Sequence, residues 1–458
     1  MNTSLMTQGA PWRHIVRFAL PVLLGSLLQQ LYNTVDAIVV GNFSGEASLS
    51  AVGTTGSLTF LFLTIALGFS AGNGVIVAQH YGANDLPKVR KNAATGMLFL
   101  MILGVGFSAL GFAIARPAFS FFVAVPEAYL GLTVRYFQIY ALGLIFQYGY
   151  NSFSAILRAV GDSAATLYFL LIASALNIVL DLLFVAVFRW GVTGAAVATV
   201  VAQAASFVAA YLYMTRRYPI FRFAFSDYRW DSAIIRRTVA IGMPISLHLM
   251  IVSVGLTLIQ RVVNSFGQAM TASFTVGNRI EQYLNLPFNA FQTTLATYTG
   301  QNIGAGRIDR VKTGTRQTIV LSLALTLIIS GAVWLSAGSI IQLFALSKQA
   351  AEYCLQHLRT VALVNVILAL YVPLFGVFQG TGHSAVPAVV AICSLSARVL
   401  STYLFRDSPF IGYRIIWWNG LFGFGIGLIV SWLFYFSRRW QDNATIETEK
   451  KQRVSKGC

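Results

Sequence analysis

The sequence predicts an all-α polytopic membrane protein of twelve transmembrane helices, built as two six-helix bundles that repeat one another. Three observations carry that expectation. Of 458 residues, 56% are hydrophobic and only 10% are charged, where soluble domains carry about 25% charged residues. Apolar runs near the ~20-residue length of a bilayer-spanning helix recur along the whole chain. A set of short motifs returns at an offset of 221–222 residues.

The predicted spans fall at about 15–40, 57–78, 93–115, 130–156, 164–188 and 192–214, then 238–263, 271–299, 317–337, 353–379, 385–405 and 415–436. Lys and Arg fix their orientation. Arg13 and Arg17 open the first span, and Lys88, Arg90 and Lys91 follow the second. Arg216 to Arg237 lie between the sixth and seventh, Arg307 to Arg316 follow the eighth, and Arg438 to Lys456 lie in the tail. The opposite loops hold few: Arg116, Arg189, Lys348, Arg406 and Arg414. An even span count and this asymmetry place both termini in the cytoplasm. The net charge of +17 is therefore topogenic. It forms no single basic face or arm, which argues against nucleic acid as a partner.

The repeat organises the domains. QHYGANDLPKVR, from Gln79, matches QNIGAGRIDRVK, from Gln301; RAVGDS, from Arg158, matches QGTGHS, from Gln379. Six spans per half give both copies the same orientation, a parallel pseudo-two-fold repeat. The expected domains are an N-lobe (1–215), a basic cytoplasmic linker (216–237), a C-lobe (238–436) and a disordered cytoplasmic tail (437–458). Cys354, Cys393 and Cys458 share no close spacing, so neither a disulfide framework nor a zinc site is expected.

Of fifteen acidic residues, only Asp36, Asp181 and Glu281 fall well inside spans. A carboxylate there costs about 2.5–3.5 kcal/mol on insertion scales and marks function by default. Gln29, Tyr32 and Asn33 share the helix face of Asp36. Asn177 precedes Asp181 by one turn, and Asn151 and Thr199 add polar groups on neighbouring spans. Glu281 has Asn278 and Asn285 on its face, a possible C-lobe site. The amides and hydroxyls taken singly also suit plain helix–helix hydrogen bonding. His248 fits packing or a backbone hydrogen bond. Arg398 fits neutralisation of an acid or snorkelling to an interface. Pro21, Pro244 and Pro287 are expected to kink their helices. Counted from Ile15, Asp36 lies about 32 Å along an ideal helix, toward the external side.

Together the paired QHYGAN and QNIGAG segments, RAVGDS, the Pro21-to-Asp36 spacing and VGNRIEQYLNLP resemble the multidrug and toxic compound extrusion (MATE) family. The resemblance covers the chain from about Arg13 to Phe436. It implies two bundles forming a V around a central cleft, and exchange of a drug or metabolite for H⁺ or Na⁺. The DinF-like branch implies an N-lobe coupling site, which maps onto Asp36 and Asp181 with Tyr32, Asn151, Asn177 and Thr199. The NorM-like branch places an acid on the seventh helix, and no acid stands between Arg237 and Val263. One departure is RAVGDSAAT, which lacks the proline often found after this motif; its partner keeps Pro387.

The expected function is secondary efflux of organic cations or other small amphipathic compounds by alternating access, in a bacterial inner membrane. The chain is expected to be a monomer, without cofactor and without enzymatic activity, since no nucleophile–base or metal-ligand constellation appears. Burial beside a second carboxylate would let one proton be held near neutral pH, and cation and proton would compete for one cluster. Na⁺ at Asp36, Asn177 and Asp181 is the other coupling option, since oxygen ligands suit hard cations. A lipid-linked oligosaccharide or lipid flippase is the alternative function; it would call for a basic cavity lining, whereas the buried charges here are mainly acidic.

Overall fold

The structure is a computed structural model that describes residues 5–344 and 346–441. Those residues form helices and short connections, with no strand among them. The first two helices, α1 (Pro11–Gly45) and α2 (Ala47–Gly82), run nearly end to end. They break at Gly45, whose φ of 79° suits glycine and strains other residues. The next four are α3 (Leu86–Pro117), α4 (Glu127–Ala159), α5 (Ser163–Asp181) and α6 (Gly191–Arg217). The second half holds α7 (Ser232–Ser265), α8 (Gln268–Gly304), α9 (Ile308–Gln342), α10 (Lys348–Gly380), α11 (Ala385–Phe405) and α12 (Ile415–Phe436).

Eleven of these are long and apolar enough to cross a membrane. The exception is α8, which at 37 residues has the length. Asn278, Arg279, Glu281, Gln282 and Asn285 dilute its apolar content. The expected ends were short by several residues: α1 continues past Val40 to Gly45. Asp36 is thus about 14 Å from that end of its helix, at 1.5 Å per residue.

The repeat read from sequence is written into the backbone. Left-handed φ values pair off at the same offset: Gly45 (79°) with Gly267 (93°), and Asn84 (57°) with Gly306 (71°). Gly161 (93°) pairs with Gly382 (90°), and Gly191 (58°) with Gly412 (49°). At the start of α5, where the motif lacks its proline, Asp162 caps the helix by accepting from the Ala165 N–H at 3.1 Å. Its other oxygen accepts from the Tyr213 and Tyr218 hydroxyls at 2.9 and 2.8 Å.

The chain divides into two compact units, one comprising Leu20–Ser246, the other Met6–Ala19 with the chain from Leu247 onward. In the first, α3 packs on α4, and α6 packs on both α4 and α5. In the second, α10 packs on α8, α9 and α12, and α11 packs on α12. The first unit thus takes in residues 216–237, expected as a linker. Residues 442–458 of the expected tail lie outside the described residues.

Arg90 explains why 216–237 goes with the first unit. Its guanidinium donates to the Ile220 carbonyl (3.1 Å), the Arg222 carbonyl (2.6 Å) and Asp227 Oδ2 (2.7 Å). Lys91 pairs with Asp231 at 2.7 Å. The second unit repeats the device with Arg310, which donates to the carbonyls of Met6 (3.0 Å), Gln8 (3.1 Å) and Gly9 (2.9 Å). The hydrogen bond from Arg90 holds the Asp227 carboxyl below its ordinary value, and Lys91 does the same for Asp231. For a depressed carboxyl the stabilisation is complete above the ordinary value and is lost as pH falls through the lowered one. The clamp is therefore fully formed at neutral pH. Asp227→Asn should speed tryptic cleavage after Arg222 and Arg229 at neutral pH; digestion at the parent rate would show that Asp227 does not hold the segment.

In the first unit α2 meets α7 through glycines. A Cβ on Gly72 would lie 2.6 Å from the Thr238 carbonyl oxygen and 2.8 Å from the Gly242 nitrogen. One on Gly68 would lie 2.6 Å from the Gly242 carbonyl oxygen. Backbones approach this closely in membrane helices only where the side chain is absent.

Candidate functional site

The polar cluster of the first unit is assembled from α1, α5 and α6, with α4 closing one side. On α1, Tyr32 and Asp36 are half-buried, whereas Gln29 and Asn33, expected on the same face, are exposed. On α5, Asn177 and Asp181 share a face and are buried, Asp181 completely. The α-helix gives way to π geometry immediately after Asp181, over Leu182–Val187. Such π segments are frequent at functional sites, although a second one, over Ala118–Phe122, carries no residue of the cluster.

The carboxyl groups of Asp36, on α1, and Asp181, on α5, are neighbours. Oδ1 of each is buried without a donor among the described residues. Asn177 supports the pair. In the orientation its neighbours dictate, its amide nitrogen donates to Asp181 Oδ2 at 2.7 Å and its oxygen faces the Thr199 N–H at 3.2 Å. The Tyr32 hydroxyl meets the Thr199 hydroxyl, which itself donates to the Ala195 carbonyl at 3.0 Å. Five of the six residues expected in this cluster therefore meet. Asn151 is buried on α4, but its nitrogen donates to Gln147 one turn back in its own helix, at 2.8 Å.

Sequence reasoning passed over the wall of α4. Tyr136 faces Asp36 and Tyr32. Tyr140 donates to Gln147 at 2.9 Å and also meets Gln203 of α6. The signal was present in the helical spacing: Tyr136, Tyr140 and Gln147 stand four and then seven residues apart.

Glu281 and Asn278, the possible C-lobe site, line a small cavity in the second unit together with His357, Asn365, Arg398 and Trp417. Arg398 is held inside, its Nε donating to Asn419 at 2.8 Å. It shares the cavity lining with Glu281. His248 Nδ1 meets the Pro387 carbonyl at 3.1 Å, the backbone hydrogen bond expected of it.

A family model described as MatE matches residues 21–183 and again 244–404. The two matches correspond to the two halves of the repeat. The chain is 30% identical over 430 residues to a probable multidrug resistance protein, YpnP, of Bacillus subtilis (strain 168), covering 93% of this chain and 94% of that one. It is 22% identical to the multidrug export protein MepA of Staphylococcus haemolyticus (strain JCSC1435), covering 93% and 94%. A crystal structure of MATE in complex with MaL6 superimposes with a TM-score of 0.89 at 26% identity, over 95% of this chain and 98% of that one.

Proposed function

Since the chain belongs to the MatE family, whose members are transporters, we propose that it is a multidrug efflux antiporter that exports organic cations or other small amphipathic compounds in exchange for protons. The single observation behind the coupling is the closeness of the Asp36 and Asp181 carboxyls. Two neighbouring buried carboxyl groups are more easily held as one acid and one carboxylate than as two charges. Two carboxylates at that separation repel strongly when both are charged, so the pair takes up and gives up its proton as a unit.

The surroundings favour a proton over Na⁺. A hard cation needs several free oxygens. Here Asn177 turns its donor toward Asp181, and its oxygen faces the Thr199 N–H. With the proton on, the pair has little attraction for a cationic cargo. With the proton off, it carries negative charge. Cargo and proton thereby compete for one cluster, and alternating access turns that competition into exchange. The charge asymmetry of its loops supports both termini in the cytoplasm.

The test is efflux of a cationic dye from proteoliposomes with pH and Na⁺ gradients imposed one at a time. A pH gradient alone should drive efflux, and a Na⁺ gradient alone should not. Efflux driven only by Na⁺ would assign the coupling ion to Na⁺ and overturn this reading.

A further inference from the structure

The second unit holds a buried ionisable cluster that the Asp36–Asp181 pair does not use. Its centre is His357 of α10, only 3% exposed, with Nε2 3.8 Å from Glu281 Oε2 of α8. That distance is too long for a direct hydrogen bond but short enough for an ion pair. The two flank a cavity of about 20 Å³, room for a single water-sized occupant. Asn365 Oδ1 and Trp417 Nε1 belong to residues that line the same cavity, 2% and 4% exposed, and neither atom has a partner among the described residues.

The site is shaped around its ionisable side chains. The imidazole is sandwiched between Phe274 at 5.6 Å and Trp417 at 4.5 Å, both nearly parallel to it. A Cβ on Gly277 would fall 1.9 Å from His357 Nδ1. Likewise, one on Gly423 would fall 2.2 Å from Arg398 Cγ. Each side chain therefore has its seat only because the facing residue is glycine. A histidine serving as apolar filling would need neither an acid at its edge nor a cavity lined by unpaired polar atoms.

Charged and titratable groups reach the ring's surroundings from several helices. Glu281 comes from α8, and Arg398 from α11 beside that carboxylate. Tyr371, on the same helix as His357, lies against Arg398. From α12 come Trp417 and Asn419, which do not titrate. A proton on the imidazole adds one positive charge facing Glu281.

We propose that His357 and Glu281 form a second proton-binding site, in which a proton from water adds to the free imidazole nitrogen and Glu281 and the cavity's occupant receive the resulting N–H. Arg398 makes the same cavity unfavourable for metal cations. This inference goes beyond the N-terminal pair and does not rest on it.

Trp417 reports the event, because an imidazolium stacked on an indole quenches its fluorescence. The experiment is a pH titration of tryptophan emission on the full-length purified protein, with NaCl and choline chloride compared. Emission should fall on acidification. Trp417→Phe and His357→Gln should each abolish the transition, and Glu281→Gln should displace its midpoint. Asp36→Asn should leave the midpoint in place, which separates this site from the N-terminal pair. NaCl should change nothing. A flat parent titration, a transition that survives His357→Gln, or one displaced by NaCl would overturn the proposal. Should His357→Gln fail to fold, Trp417→Phe and Glu281→Gln decide it: a transition unmoved by both is not at this site.

Discussion

Asp36→Asn is expected to end proton-driven efflux while leaving a folded protein. For a monovalent cation, one-for-one exchange with a proton moves no net charge, so the membrane potential cannot pull the cation back in. Without the proton, the cation follows the potential at about 2.3 kcal/mol per 100 mV. At 1.4 kcal/mol per tenfold, that is a change of about fiftyfold in the steady-state distribution of the dye per 100 mV. Asp181→Asn should give the same endpoint, since neither carboxyl can share a proton with an amide in its place. The double variant should be no worse than either single one, because groups that act as a unit lose their effect once. Dye accumulation in energised proteoliposomes measures all three. Accumulation at the parent ratio in Asp36→Asn would refute the coupling role.

Gly72→Ala is expected to cost stability rather than coupling. The added methyl would lie 2.6 Å from the Thr238 carbonyl oxygen and 2.8 Å from the Gly242 nitrogen, both backbone atoms of α7. Neither can swing aside as a flexible side chain would, so α2 and α7 must separate. Overpacking of this kind costs roughly 1–3 kcal/mol. Gly53→Ala is the control, since a Cβ there meets nothing within 4 Å. The thermal midpoint in detergent should fall for Gly72→Ala and hold for Gly53→Ala. Equal midpoints would mean that the close approach is not needed.

Much of this was legible in the sequence because the bilayer simplifies the problem. A buried acid is rare there and points to itself, which is how Asp36, Asp181 and Asn177 were found. The repeat was legible because its motifs sit in turns, where left-handed backbone restricts the residue; Gly161 and Gly382 are one pair. What escaped depends on neighbours distant in the chain. Tyr136 joins the site only because the fold brings Asp36 and Tyr32 of α1 near it. His357 stands 76 residues from Glu281 on an ordinary apolar helix, and nothing local marks it. Arg90 and Arg310 were counted as topogenic charge. Their carbonyl acceptors lie more than a hundred residues away in chain order, beyond the reach of any local pattern.

Those two arginines record how the two halves diverged after duplication. Arg90 gathers the segment before α7, and Arg310 gathers the segment before α1. Aligned through the repeat, however, Arg90 falls on Lys312 and Arg310 on Lys88. The two copies have kept a task and moved it by two positions. Substitutions carried from one half to the other by alignment would therefore strike lysines that do not perform it. The counterpart of Arg310→Ala is Arg90→Ala, a pairing set by which carbonyls are held and not by position in the motif.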